Sequence, residues 1–250
     1  MSQGHRIALV GMSIPIRRFF IRRFPLYCRY MDIEEKKQNV KEALRRLRKA
    51  YPVTGPFVAW SNPLELVVGT ALSAQCTDER VNMVTKELFK KYQTARDYAD
   101  ADQGVLEKEI YSTGFYRNKA KNLRGMGKVL VERFGGKVPD TLEGLLALPG
   151  VSNKTAYIVL AKAFGRQEGV AVDTHVFRLV PRLGWSDAKT AEKMSAELSR
   201  LFPKKDYLDM NEYLITHGRA ICSPRNPKCG DCVLSDICPG SEKFKAKNEK

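Results

Sequence analysis

From Met31 onward apolar residues recur at helical spacing along nearly the whole chain. Ile33, Val40, Leu44, Leu47 and Tyr51 mark one face of a first helix, and Asp32, Glu34 and Glu35 supply the acids favoured at a helix start. The stretch from Pro52 to Pro56 breaks that pattern, and Pro63 opens a second helix over 64–74 that is apolar nearly all round, as a buried central helix is. Ser73 to Asp78 turns polar, with Asp78 read as the N-cap of a helix whose core face is Val81, Val84, Leu88 and Phe89. Helices follow over 104–112 and 118–134, separated by Gly114 and an aromatic, basic loop from Phe115 to Lys119; the second stops at Gly135 and Gly136. A short apolar helix from Thr141 to Leu148 is interrupted by Pro149 and Gly150, and helical spacing resumes through Lys154, Tyr157, Ile158 and Ala161. Further helices are predicted over 174–183, 187–201 and 207–220. Val170 to Val172 is the single strand candidate and is too short to found a sheet, so the pattern predicts an all-α fold. No internal repeat is visible, and low complexity is confined to the lysine-rich tail from Ser241 to Lys250.

Composition changes the picture mainly through charge. A chain of 250 residues with 43% apolar side chains can bury one or two cores without staples, and it has no run of eighteen apolar residues to cross a membrane. The formal charge of +15 points to a polyanionic partner, nucleic acid or an anionic membrane surface, against the plainer reading of a solvated basic surface. Residues 1–30 supply +6 of it through Arg6, Arg17, Arg18, Arg22, Arg23 and Arg29, with no acidic residue. That leader reads as an organellar transit peptide, a basic nucleic-acid arm, or sequence upstream of a start at Met31; the last is favoured, and in each case the leader is expected to be poorly ordered and outside the catalytic fold.

The break at Pro149-Gly150 reads as a helix-hairpin-helix turn. Unpaired N–H groups at the start of its second helix make a phosphate site, with Gly150, Val151, Ser152 and Thr155 beside the backbone of a bound strand. Lys154 lies one step inside that site, where an unprotonated amine can attack a sugar carbon and form a Schiff base. Asp173, between an apolar run and a helix, is placed either to cap that helix or to face Lys154 and stabilise oxocarbenium charge or move a proton. Each feature also has a bland reading: a common turn, a solvated lysine, a simple N-cap. Cys222, Cys229, Cys232 and Cys238 fall within seventeen residues, a density that suggests a metal site in a reducing compartment. Four thiolates hold a tetrahedral zinc or an iron-sulfur cluster; the unequal 6-2-5 spacing leans toward the cluster. The Pro-stiffened loop between the first two cysteines would present Arg225 and Lys228 to phosphates.

These residues, together with Leu72-Ser73-Ala74-Gln75, Thr77-Asp78, Val172-Asp173-Thr174-His175 and His217-Gly218-Arg219, resemble the endonuclease III family of helix-hairpin-helix DNA glycosylase/AP lyases, in order from about Ile33 to Cys238. The resemblance implies a two-domain, all-α fold with a DNA groove between the domains and a C-terminal iron-sulfur loop. Residues 56–166 would form a six-helix domain carrying the hairpin, and residues 31–55 with 167–250 the domain of a 4Fe–4S cluster held by the four cysteines. It implies Lys154 as the nucleophile at C1′, Asp173 as the catalytic carboxylate, Gln75 as the residue filling the gap of a flipped nucleotide, and Phe115 as an apolar wedge beside the orphaned base. His175 is expected on the DNA side of the groove and His217 near the cluster, both in hydrogen-bonding rather than acid-base roles. Ser152 stands where the family has a hairpin glycine, which would make a positive φ harder to reach, and Cys76 where alanine is common.

The expected activity is excision of oxidised pyrimidines from double-stranded DNA, with cleavage of the abasic site, by a monomer located in the cytoplasm at the nucleoid, or in an organelle if the leader is a transit peptide. The alternatives are a non-catalytic or monofunctional, mismatch-specific DNA-binding protein and a zinc-containing chromatin module.

Overall fold

The computed structural model describes residues 31–52 and 57–248; the basic leader and the centre of the Pro52–Pro56 break lie outside the described residues. Among the described residues every regular element is a helix and none is a strand, the extended run Val170–Val172 included. The described residues form twelve α-helices: α1 Ile33–Ala50, α2 Pro63–Leu72, α3 Asp78–Lys91, α4 Ala95–Asp100, α5 Gln103–Glu109, α6 Tyr116–Phe134, α7 Leu142–Leu146, α8 Asn153–Phe164, α9 Thr174–Arg182, α10 Ala191–Leu201, α11 Tyr207–Ala220 and α12 Pro239–Asn248.

The starts of these helices are written in their side chains. Asp32 accepts from the backbone N–H groups of Glu34 and Glu35 while Glu35 accepts from Asp32 N–H, a complete capping box. Asn62 caps α2 ahead of Pro63. At α3 the cap is Thr77 and not Asp78: the Thr77 hydroxyl accepts from Arg80 N–H, and Asp78, moved inside the first turn, is left to pair with Arg219. The sequence missed α4, although Thr94 and Asp97 form a second capping box. Its position depends on Gly127 of α6, where a Cβ would lie 2.5 Å from Ala99 N and 2.6 Å from Ala95 O; only glycine admits so close a backbone. The expected loop from Phe115 to Lys119 is helical from Tyr116, and the lysine-rich tail continues as α12. Helix α2 ends at Leu72, two residues before its expected end, and α10 begins at Ala191 because Thr190, not Asp187, caps it.

Two hydrophobic clusters result. The first is built by α2 to α8, with Leu66, Val67, Leu72, Val81, Leu106, Leu123, Leu130, Leu145 and Leu160 at its centre. The second joins α1 to α9, α10 and α11 through Leu44, Leu47, Val176, Leu179, Trp185, Met194, Leu198 and Leu214. The apolar face of α1 therefore docks 130 or more residues downstream, while Ile33, in its first turn, stays 52% exposed instead of joining that face. The chain crosses between the cores after Tyr51 and again at 165–170.

Candidate active site and cysteine centre

Helix α7 ends in a tight turn whose Val151 N–H donates to Leu148 O at 3.1 Å. Gly150 has φ +81°, and a Cβ there would sit 3.0 Å from the Asn122 side chain of α6. Ser152, in contrast, is extended at φ −94°, ψ 169°, and its hydroxyl caps α8 by accepting from Thr155 N–H. The expected penalty of a serine at the glycine position is thus absent: the left-handed residue of this turn is Gly150 alone. Gly150→Ala should destabilise the protein by about 1–2 kcal/mol, whereas Ser152→Gly should cost a few tenths of a kcal/mol, roughly the value for exchanging one cap for another. Urea unfolding of the two variants checks the contrast, and equal losses would contradict it.

Lys154, the second residue of α8, is half-buried and borders two clefts. One is walled by Leu66, Thr70, Ser73, Asp78, Asn211 and Glu212, from both cores. The other is walled by Tyr157, Val170, Val172 and Ser195. Two ion pairs hold the cores around it: Lys162 of α8 to Glu212 of α11 at 2.7 Å, largely buried, and Arg219 of α11 to Asp78 of α3 at 2.6 Å. Asp173 caps α9 by accepting from the N–H groups of His175 and Val176, both at Oδ1, so the cap leaves Oδ2 uncommitted. His175 interacts electrostatically with both Asp173 and Lys154; burial lowers its pKa, with Asp173 opposing and Lys154 adding to the lowering. Its Nδ1 meets the Arg178 guanidinium at 3.1 Å, and Arg178 also donates to Gly218 O and Cys222 O, tying the site to the cysteine segment.

Gln75 and Phe115 are the only non-glycine residues with positive φ among the described residues, at 53° and 47°. Neither residue type favours that conformation, and such strain concentrates at functional positions. Both are exposed, Phe115 to 64%, and both border one cleft with Asn118, Lys119, Asn122 and hairpin Gly150. Three loops distant in sequence therefore open onto a common groove.

The four cysteines ring one cavity, closed by Leu179, Leu183, His217 and Leu234. Burial pushes the Cys238 thiol up to about 12 and raises Cys232, and the neighbouring thiols add to both shifts; a cationic centre is what such a ring needs to be held as thiolates. Of the outer contacts, that of His217 agrees with its expected place near the cluster, while those of Arg182 are unforeseen from the sequence. Arg182 donates to Cys222 Sγ at 3.2 Å and to the carbonyls of Ser223 and Pro224. His217 Nε2 lies 3.4 Å from Cys232 Sγ and its Nδ1 3.0 Å from the Tyr51 hydroxyl; burial lowers its pKa to about 4, so it is neutral near pH 7. Arg225 and Lys228 are exposed on the loop that Arg182 holds, and neither borders the clefts at Lys154 or Gln75.

Residues 68–204 match the HhH-GPD superfamily base excision DNA repair protein family, and residues 222–238 match the iron-sulfur binding domain of endonuclease III. Endonuclease III of Synechocystis sp. is 47% identical over 207 residues, covering 83% of this chain and 94% of that protein. An endonuclease III solved in a non-covalent DNA complex superposes with a TM-score of 0.80 at 37% identity, covering 86% of this chain and 99% of that one. A second, solved as a trapped covalent DNA intermediate with an estranged adenine, gives 0.79 at 38% identity over 83% and 97% of the two chains. The iron-sulfur group of this chain is accordingly a 4Fe–4S cluster. A hairpin ahead of α8, a lysine in that helix between two all-α cores, and a C-terminal iron-sulfur segment all agree with these matches, and the chain belongs to the endonuclease III family of the HhH-GPD superfamily.

Proposed function

We propose that this chain is a bifunctional DNA glycosylase/AP lyase that removes oxidised pyrimidines from duplex DNA and then cleaves the abasic site. The observation that carries the reading is Lys154: a half-buried lysine at the second position of the hairpin helix, at the junction of two clefts between the cores. Its amine, unprotonated, attacks C1′ of the extruded nucleotide; the bond from C1′ to the base breaks, and the base leaves with the electron pair and takes up a proton. The nitrogen then loses one of its two protons, and the C1′–O4′ bond breaks as O4′ takes up a proton, leaving an iminium, the protonated Schiff base, that keeps the other N–H. Removal of a C2′ proton then expels the 3′ phosphate with cleavage of the C3′–O bond. Asp173, through Oδ2, stabilises the positive charge that develops on the sugar and moves protons at that centre.

DNA would be gripped at the hairpin through the N–H groups of Gly150 and Ser152, beside Val151 and Thr155, with Gln75 entering the duplex beside Phe115 and with His175, Arg225 and Lys228 toward the phosphates. Cys222, Cys229, Cys232 and Cys238 are the proposed cluster ligands. When bound, the cluster ties four points of the chain together and fixes the loop of Arg225 and Lys228. We read residues 56–166 as the hairpin domain and residues 31–55 with 167–250 as the cluster domain, in agreement with the two hydrophobic clusters. One chain supplies every residue invoked, which supports a monomer, and its DNA substrate would place it at the nucleoid; no helix among the described residues is long and apolar enough to cross a membrane.

Borohydride reduction on duplexes carrying an oxidised thymine or an abasic site tests the reading. A covalent protein–DNA adduct is expected on both. Binding without any adduct would instead support the monofunctional or purely binding alternative.

A further inference from the structure

Lys119 is 8% exposed, and a lysine buried to this degree requires partners for its ammonium. Its Nζ donates to Leu72 O at 2.9 Å and to Thr113 O at 2.8 Å. Leu72 is the last residue of α2, and Thr113 ends the 3₁₀ turn Tyr111–Thr113. Both acceptors are therefore terminal carbonyls, which lack helical partners and carry the negative end of the peptide dipoles. Three residues beyond Leu72 stands Gln75, and two beyond Thr113 stands Phe115.

One cation thus joins the ends of the two segments that carry the only left-handed non-glycine residues described, and it lies in the wall of the cleft those residues share. The same helix, one turn later, presses Asn122 against Gly150 of the hairpin. Helix α6 is in this sense a strut on which all three groove loops are registered. Burial lowers the Lys119 pKa, yet its two bonds are to carbonyl oxygens, which accept from the protonated or the neutral amine. A methionine of similar length would fill the space but leave two terminal carbonyls unpaired.

We propose that Lys119 is a positioning residue that sets the separation and strained backbone of Gln75 and Phe115, and through them governs extrusion of the target nucleotide. The proposal rests on the glycosylase reading above and assigns Lys119 no contact with the reacting sugar. Extruding a base leaves a gap and a partner without stacking, and two loops must enter that gap together. Loosening the brace lets each relax separately toward negative φ.

The test compares wild type, Lys119→Met and Lys119→Arg, each first matched for cluster absorbance and thermal midpoint. Single-turnover excision of a base-paired oxidised thymine should fall by about tenfold to a hundredfold in Lys119→Met, the usual scale for a misplaced active-site element. Strand cleavage at a preformed abasic site, where no base must be unstacked, should change by less than about threefold. Arginine, which also donates to two carbonyls, should restore most of the excision rate. The fluorescence rise of 2-aminopurine placed beside the lesion reports extrusion directly and should shrink in Lys119→Met. Equal losses on the two substrates, or no loss on either, would overturn the proposal. If Lys119→Met does not fold, Lys119→Arg carries the test through a smaller shift in the same direction. Failure of the glycosylase reading would show separately, as a wild-type protein that unstacks 2-aminopurine without cleaving anything.

Discussion

Lys154→Gln is expected to give no borohydride adduct and to slow abasic-site cleavage by about 10⁴-fold or more, the scale on which loss of a nucleophile acts. The same change should leave stability intact or raise it slightly. A cation in the first turn opposes the helix dipole by about 0.3–1 kcal/mol, so the fold has no need of a lysine at this point of α8. A position that breaks a local rule without a structural return is where function is expected. Asp173→Asn makes the complementary case. Asparagine caps helices as well as aspartate does, and the two N–H donors from His175 and Val176 meet one oxygen, which an amide retains. Thermal midpoints should therefore stay close to wild type while single-turnover excision falls by about 10²- to 10⁴-fold. An Asp173→Asn protein that unfolds but retains full activity per folded molecule would reduce Asp173 to a cap, and an adduct persisting in Lys154→Gln would move the nucleophile elsewhere.

What the sequence revealed and what it hid divide along physical lines. Caps, breakers and helical periodicity act over three or four residues, so α2, α6, the hairpin and α8 were readable within a few residues of their bounds. Helix α4 has too little length for periodicity to register, and its seat depends on an absent side chain at Gly127, far along the chain. The assignment of Asp78 as a cap failed because Thr77 offers an equivalent oxygen one residue earlier. Lys119 read as part of a basic loop; nothing local indicates that its amine reaches a carbonyl 47 residues away. The left-handed backbone at Gln75 and Phe115 was equally hidden, since neither residue type announces it. Arg182 and Arg178 are ordinary members of a helix until α9 packs against the cysteine segment. Long-range polar contacts of this kind leave no periodic trace.

Loss of a proposed cluster ligand, as in Cys232→Ala or Cys238→Ala, is expected to act on the second core before it acts on chemistry. Leu234 is the one fully buried aliphatic side chain that the segment 222–238 gives to that core among the described residues. Burial of one leucine, about 1.5–3 kcal/mol, cannot order seventeen residues. Ile237 and three of the cysteines add only half-buried contacts to that core, and the rest of what holds the segment is polar: Asn39 of α1 donates to Ile237 O at 2.8 Å, Arg46 to Val233 O and Asp236, and Arg182 to Ser223 and Pro224. These bonds presuppose a loop already in shape, and a bond across such a loop offsets little of the entropy of an unclosed one. The four-point tie is therefore the closing step, and its removal should cost about 4–5 kcal/mol or more, as losses of structural metal do. For a chain of this size that corresponds to a fall in thermal midpoint of roughly 10–20 °C, with soluble yield reduced and the cluster's visible absorbance gone. Because Asp173 caps α9 and that helix carries Arg182, some loss of activity will follow, but per folded molecule it should be far smaller than in Lys154→Gln. Cysteine variants that lose the absorbance yet melt with wild type would show the cluster to be an addition to a fold already complete, and would direct attention to chemistry at the cluster instead.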